Sequence, residues 1–219
     1  MVMAWFNRKI LLVEDEPLLR GLIAANLELE QFEVATASNA AEARKIAETF
    51  DPDIAVLDIE LGAGPNGVDL AIVLRRQFPE IALVFLTHIP EPRITGIDNR
   101  SIPKNAAYLV KDRMADPGVL REAIEAAVRN RVSEDFRDDK RTDHRFTELS
   151  KAQLGALKMI ALGMSNHQIA AERGTTVRAV ENLVKRAFEA AGIADESGVN
   201  QRVAAAREFI KVAGLPLAK

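Results

Sequence analysis

The chain has 219 residues, 29 basic and 32 acidic side chains, a formal net charge of −3, 48% hydrophobic residues and no cysteine. That length holds one large domain or two small ones, the apolar content fills a core unaided, and the missing thiols exclude disulfides and thiolate metal centres. No run of about 18 apolar residues is present to span a membrane, and the opening Met1-Val-Met-Ala-Trp-Phe-Asn-Arg-Lys9 lacks the apolar region and cleavage site of a secretory signal. A cytoplasmic protein with no membrane partner is the expectation.

The charge is uneven. Residues 1–130 carry 14 basic and 20 acidic side chains, residues 131–146 carry five of each, and residues 147–219 carry ten and seven. An acidic front and a mildly basic back point to two separate tasks.

The first 130 residues alternate between two patterns. Short apolar runs at Lys9–Val13, Glu33–Ala37, Ile54–Asp58, Ile81–Leu86 and Ala107–Val110 read as strands. The first, third and fourth are nearly continuous in Ile, Leu, Val and Ala, as strands buried on both faces are. Between them lie helical stripes: Leu18, Leu22, Ile23, Ala25 and Leu29; then Ala40, Ala43, Ile46 and Ala47; then Val68, Ile72 and Val73; and finally Ile124, Ala127 and Val128. Strands alternating with helices predict a doubly wound α/β domain on a parallel five-stranded sheet. Right-handed crossovers bring the strand C-terminal ends to one edge, where ligands bind. The fourth crossover, residues 90–106, holds three prolines and a glycine. It is expected to be a short, distorted helix or a loop.

Residues 131–146 are highly charged and poor in apolar side chains, which reads as a linker. From Thr147 the period is helical, with helices expected at about 150–163, 166–173, 177–191 and 196–212. Ser165-Asn-His-Gln168 is a capping box, Gly174 a turn and Thr176 an N-cap, so the second and third of these helices form a helix-turn-helix. The third has an apolar face of Val180, Leu183, Val184, Ala187, Phe188 and Ala191. Its polar face carries Arg178, Glu181, Asn182, Lys185 and Glu189. Arg178 suits guanine, Asn182 suits adenine and Lys185 suits phosphate.

At the sheet edge the strand ends carry Glu14 and Asp15, Asp58, Thr87 and Lys111. Clustered carboxylates repel one another, and a divalent cation such as Mg²⁺ relieves that repulsion. Asp58 is a candidate nucleophile toward a phosphoryl group, with the metal and Lys111 neutralising charge and Thr87 donating a hydrogen bond. The run Gly62-Ala-Gly64-Pro-Asn-Gly67 is a literal G-x-G-x-x-G, which raises a nucleotide-dependent enzyme as a rival. It sits in the third βα turn instead of the first, and Pro65 removes an N–H that could cradle phosphate, so this reading is disfavoured.

Lys9-Ile-Leu-Leu-Val-Glu-Asp-Glu-Pro17, Ile54-Ala-Val-Leu-Asp-Ile-Glu60, Val84-Phe-Leu-Thr87 and Tyr108-Leu-Val-Lys-Asp112 resemble the receiver domains of two-component response regulators. The resemblance implies a flavodoxin-like fold over residues 8–130 with Asp58 as phosphoacceptor. It implies Mg²⁺ held by Glu14, Asp15, Asp58 and the backbone carbonyl of Glu60. Thr87 and Tyr108 become a switch pair, and Lys111 contacts the phosphoryl group. His88 stands where the family has a small residue, and Asp112 follows the lysine in place of proline, so a trans bond is expected there. Leu149-Ser-Lys-Ala-Gln153, Ala161–Ala170 and Val180-Glu-Asn-Leu-Val184 are similar to LuxR-type (NarL-like) helix-turn-helix domains, implying an all-α four-helix domain over 147–212. Where Glu181 and Leu183 stand, the family often has a basic residue and a histidine. The last helix, with Val203, Ala206 and Ile210, is the dimerisation element by resemblance. The resulting expectation is a non-enzymatic regulator, apart from its own phosphoryl transfer and dephosphorylation. Its partners are a sensor histidine kinase and double-stranded DNA, and it is a homodimer when active. The alternative is a receiver whose helical output binds RNA or a protein.

Overall fold

The computed structural model describes residues 8–116, 118–141, 145–193 and 200–213. Five strands, β1 (Lys9–Val13), β2 (Glu33–Ala37), β3 (Ile54–Leu57), β4 (Ala82–Thr87) and β5 (Ala107–Val110), form one sheet in the order β2-β1-β3-β4-β5. Every pair is parallel. The three central runs are buried, save the half-buried Lys9 that opens β1, as strands covered on both faces must be.

Four helices flank the sheet: α1 (Pro17–Leu29), α2 (Ala40–Phe50), α3 (Gly67–Gln77) and α4 (Val119–Val128). Pro17 opens α1, where its missing N–H costs nothing. Asn39 caps α2 by accepting from the Glu42 N–H at 2.9 Å. Ile23 and Leu27 of α1 and Leu120 and Ile124 of α4 share one cluster with Ile10, Leu12, Val56, Val84 and Leu109. The alternate strand residues Leu11, Val13, Leu57 and Phe85 are equally buried on the opposite face, toward α2 and α3.

Two of the expected stripes are partly out of phase, with Ile23 on α1 and Val68 on α3 buried as expected. On α1, Leu18, Leu22 and Leu29 are exposed, and Ile23, Ala24 and Leu27 face the sheet. On α3, Ile72 is exposed and the buried set is Val68, Leu70, Ala71 and Leu74. Both helices carry apolar residues at two phases about 100° apart, and only the tertiary context selects between them.

The described residues divide into two compact units. One comprises the chain through Thr87 together with Ser101–Asp138; the other joins His88–Arg100 to the chain from Asp139 onward. The fourth crossover forms two 3-10 turns, Pro92–Thr95 and Asn99–Ser101, in keeping with its prolines. The charged stretch after α4 also forms two such turns, Glu134–Phe136 and Asp138–Lys140. Its first part lies against β5. The buried Asp138 carboxylate accepts the Val110 N–H at 2.9 Å and the Arg113 guanidinium at 2.9 Å. Arg137 donates to the Lys104 carbonyl at 3.0 Å and makes a parallel bridge to Tyr108.

The second unit contains α5 (Lys151–Ala161), α6 (Asn166–Glu172), α7 (Val177–Ala190) and α8 (Gln201–Ala213). The expected start of the last helix, residue 196, lies outside the described residues. Capping boxes open α5 (Ser150 with Gln153) and α6 (Ser165 with Gln168), the second as the sequence predicts. Leu154, Leu157 and Ile160 of α5 pack with Ile169, Val180, Val184, Phe188, Ala205 and Phe209 in one core.

Candidate functional site

The sheet topology brings the acidic side chains of β1 and β3 together. The Glu14 N–H donates to the Ala37 carbonyl, and the Asp58 N–H donates to the Val13 carbonyl at 2.8 Å, so both residues continue the ladder just past their strands. Carboxylate oxygens of Glu14, Asp15 and Asp58 all lie within 4.8 Å of one another. Glu14 and Asp58 are buried, and Asp15 is exposed. Arg20 on α1 holds the acidic turn by donating to the Glu14 carbonyl at 2.6 Å and to the Asp15 carbonyl at 3.3 Å.

Lys111 enters from the end of β5. Its buried Nζ lies 2.7 Å from Asp58 Oδ2 and 2.7 Å from Glu14 Oε2, so one ammonium bridges two carboxylates. Burial pushes the Glu14 carboxyl above its ordinary range, against the hydrogen bond from Lys111. Burial alone would depress the lysine, but the charge of Asp58 and the hydrogen bonds to Asp58 and Glu14 outweigh it and hold Lys111 above the ordinary lysine value. One ammonium against three carboxylates leaves an excess of negative charge. A small, hard divalent cation with oxygen ligands fits that donor set and that charge.

The other expected residues stand around this pair. Glu60 lies two positions beyond Asp58 on the exit loop, and its N–H donates to Asp58 Oδ1 at 3.2 Å. Thr87, fully buried, ends β4 in register with Val110. Tyr108 is fully buried, its ring 6.2 Å from that of Phe85. His88 is exposed. No cis peptide bond occurs among the described residues, so the bond before Asp112 is trans, as expected.

The glycine-rich loop lets the backbone leave the pocket beside Asp58, and Gly67 is the residue that makes the close approach. A Cβ at Gly67 would stand 1.9 Å from the Asp58 carbonyl oxygen and 2.8 Å from its carbonyl carbon. Only glycine lets α3 start this close to the strand end. Asn66 caps the same helix by accepting from the Val68 and Asp69 N–H groups at 2.8 and 2.9 Å. These donors are therefore engaged, which further weakens the dinucleotide reading. Gly67→Ala is expected to cost about 1–3 kcal/mol, as overpacking does, and to slow any chemistry at Asp58 by displacing its backbone. Urea unfolding together with the rate of phosphoryl uptake checks this; an unchanged midpoint and rate would show that the loop yields freely.

The second cluster of expected residues is on α7. Thr176 caps it, accepting from the Ala179 N–H at 3.2 Å, and Gly174 makes the preceding turn at φ +60°. Val180, Val184, Ala187 and Phe188 are buried, and Leu183 is half-buried. Arg178, Glu181, Asn182 and Lys185 are all exposed, so the expected polar face is one surface. Arg186 is also exposed, and its guanidinium reaches the Asn182 carbonyl at 3.4 Å. Its position four residues after Asn182 is the signal that would have placed it there.

Residues 10–97 match the response regulator receiver domain family. The nitrate/nitrite response regulator protein homolog of Haemophilus influenzae is 31% identical over 75% of this chain and 80% of its own length. This chain belongs to the two-component response regulators. The nitrate/nitrite response regulator protein NarP of Escherichia coli is 28% identical over 94% of this chain and 96% of its own. A solved structure of RcsB from Salmonella enterica serovar Typhimurium, bound to the promoter rprA in the presence of the phosphomimetic BeF3−, aligns over 93% of this chain and 98% of that one. Its TM-score is 0.56 and its identity 19%, a likeness of fold. The regulator described here thus joins a receiver sheet to a helical region, and none of its described helices is long and apolar enough to cross a membrane.

Proposed function

We propose that this regulator accepts a phosphoryl group on Asp58 from a sensor histidine kinase and controls transcription by binding DNA through α7. The observation that carries the reading is the buried Asp58 carboxylate, 2.7 Å from Lys111 inside a three-carboxylate cluster. One Asp58 oxygen attacks phosphorus as the bond to the donor breaks. Lys111 neutralises charge on the transferring group, and the Thr87 hydroxyl donates to one of its oxygens. Tyr108 is the partner of Thr87 in the switch. Glu14, Asp15, Asp58 and the Glu60 carbonyl would hold Mg²⁺, which when bound screens the negative charge that repels the incoming phosphoryl oxygens.

The proposed division is a receiver domain at 8–130, a linker at 131–146 whose first part, through Asp138, packs with the sheet, and a helix-turn-helix domain at 147–212. On α7, Arg178 and Asn182 suit base edges and Lys185 suits phosphate, while Glu181 repels it. The active form is a homodimer through α8, whose Val203 is exposed. The protein works in the cytoplasm and catalyses no reaction beyond its own phosphorylation and dephosphorylation. NarP and its homologue, both named as response regulators, support the signalling role, and the promoter-bound RcsB supports the DNA-binding one.

The test combines mass measurement with selection of random duplexes, each with and without a small acyl-phosphate donor and Mg²⁺. The expected result is a Mg²⁺-dependent adduct, weakened by Asp15→Ala, together with enrichment of one duplex sequence. A chain that takes no adduct is not a phosphoacceptor, and failure to enrich any duplex would point to RNA or protein as the output target.

A further inference from the structure

The chain leaves β4 at Thr87, and the next residue, His88, already belongs to the helical unit. Ile89 and Ile94, 0% and 5% exposed, are members of the core that contains Phe146, Leu149, Leu154 and Leu157. Between them, Glu91 is 2% exposed and Arg93 half-buried. The pair is bidentate, with Arg93 Nε 2.8 Å from Glu91 Oε1 and Nη2 2.8 Å from Oε2. The same guanidinium donates to the Leu149 carbonyl at 2.8 Å, to the Thr147 carbonyl at 2.7 Å and, at 3.5 Å, to that of Phe146. These carbonyls form the turn that enters α5, some 53 to 56 residues away in sequence. The Phe146 ring packs 6.0 Å from that of Phe209 on α8.

A crossover whose only task is to join two strands has no need of this arrangement. A buried ion pair gives no more stability than apolar residues of the same volume, whereas its geometry is specific. Arginine alone supplies a planar fork that grips a carboxylate on one side and carbonyls on the other. Close-packed cores do not absorb displacements of a bonded residue, so a shift at Thr87 is passed on through Ile89.

We propose that His88–Arg100 is the link by which the state of Asp58 reaches the helical unit, with Glu91 and Arg93 as positioning residues that clamp it to the entrance of α5. This rests on the functional reading above. Recruitment of the Thr87 hydroxyl by a phosphoryl oxygen supplies the difference between the two states, without which no coupling arises. The clamp delivers that difference to the turn 146–149 and to the helices packed on it.

The full-length chain tests this with Mg²⁺, a small acyl-phosphate donor and a duplex enriched by selection. The wild type is expected to change its DNA affinity on phosphorylation by about 5–150-fold, the usual range of allosteric coupling. Hydrogen exchange of the amides at 146–153 is expected to change with it. In Glu91→Gln, Arg93→Gln and Arg93→Lys the adduct still forms at the wild-type rate, but the affinity ratio falls toward one and the exchange at 146–153 no longer responds. Arg93→Lys keeps the charge and loses the fork, so it carries the test if the other variants unfold the helical unit. Folded variants that retain the wild-type ratio overturn the proposal, as does a wild type that forms the adduct and binds DNA with the same affinity in both states. A wild type with no adduct fells the functional reading, and this inference with it.

Discussion

Asp58→Asn is expected to abolish uptake of a phosphoryl group completely while leaving the fold intact. The amide is nearly isosteric and can still accept the hydrogen bond from Lys111 that the carboxylate accepts at 2.7 Å. It is not a nucleophile, so bond formation to phosphorus stops. Removing one of two buried carboxylates that share a single ammonium also relieves repulsion, and no loss of circular dichroism is expected. Mass measurement after treatment with a small acyl-phosphate donor and Mg²⁺ decides the matter. An adduct that survives the substitution would move the acceptor to another carboxylate, Asp15 being the neighbour in the cluster.

The second large effect is expected on α7. Asn182→Ala removes a base contact and should relax preference at one position of the duplex by about 1–3 kcal/mol. Lys185→Ala should weaken all sequences alike and lower the salt slope by about one. Its ion pair with Glu189, at 3.9 Å, joins two side chains largely in solvent, so breaking it carries little cost of its own. Glu181→Lys should act in the opposite direction and tighten non-specific binding, because it replaces a charge that repels phosphate. Titrations over a salt series against the selected duplex and a scrambled one separate the three effects. If binding is indifferent to all of them in folded protein, α7 is not the reading head.

Much of this molecule is written locally in its chain. The buried strands announce themselves as unbroken aliphatic runs, and parallel order then fixes which end of each strand meets the others. That is why Glu14, Asp58 and Lys111 could be grouped before any contact was known, and the contacts at 2.7 Å follow. The capping box at Ser165 and the cap at Thr176 are equally local and legible. Features decided by tertiary context were not. On α1, Leu18 and Leu22 offer as good a stripe as Ile23 and Leu27, and only the packed sheet distinguishes them. Gly67 looks like a flexible loop residue until the Asp58 carbonyl is placed beside it. The pairing of Arg93 with the turn at 146–149 spans more than fifty residues and leaves no periodic trace. Its segment reads as loop because prolines break the helical pattern and only a few aliphatic residues point into a core.

The contacts between the charged stretch and β5 bear on how this protein is taken apart. The strand closes one side of the sheet, and an open sheet side offers unpaired backbone groups to any passing strand, a route to self-association. Here the Val110 N–H is taken by Asp138, and Arg137 bridges to Tyr108, so the chain seals its own border. A fragment cut at residue 130 discards that seal along with the tether. Residues 131–138 therefore belong with the sheet in any dissection meant to remain monomeric, however much their composition suggests an expendable spacer.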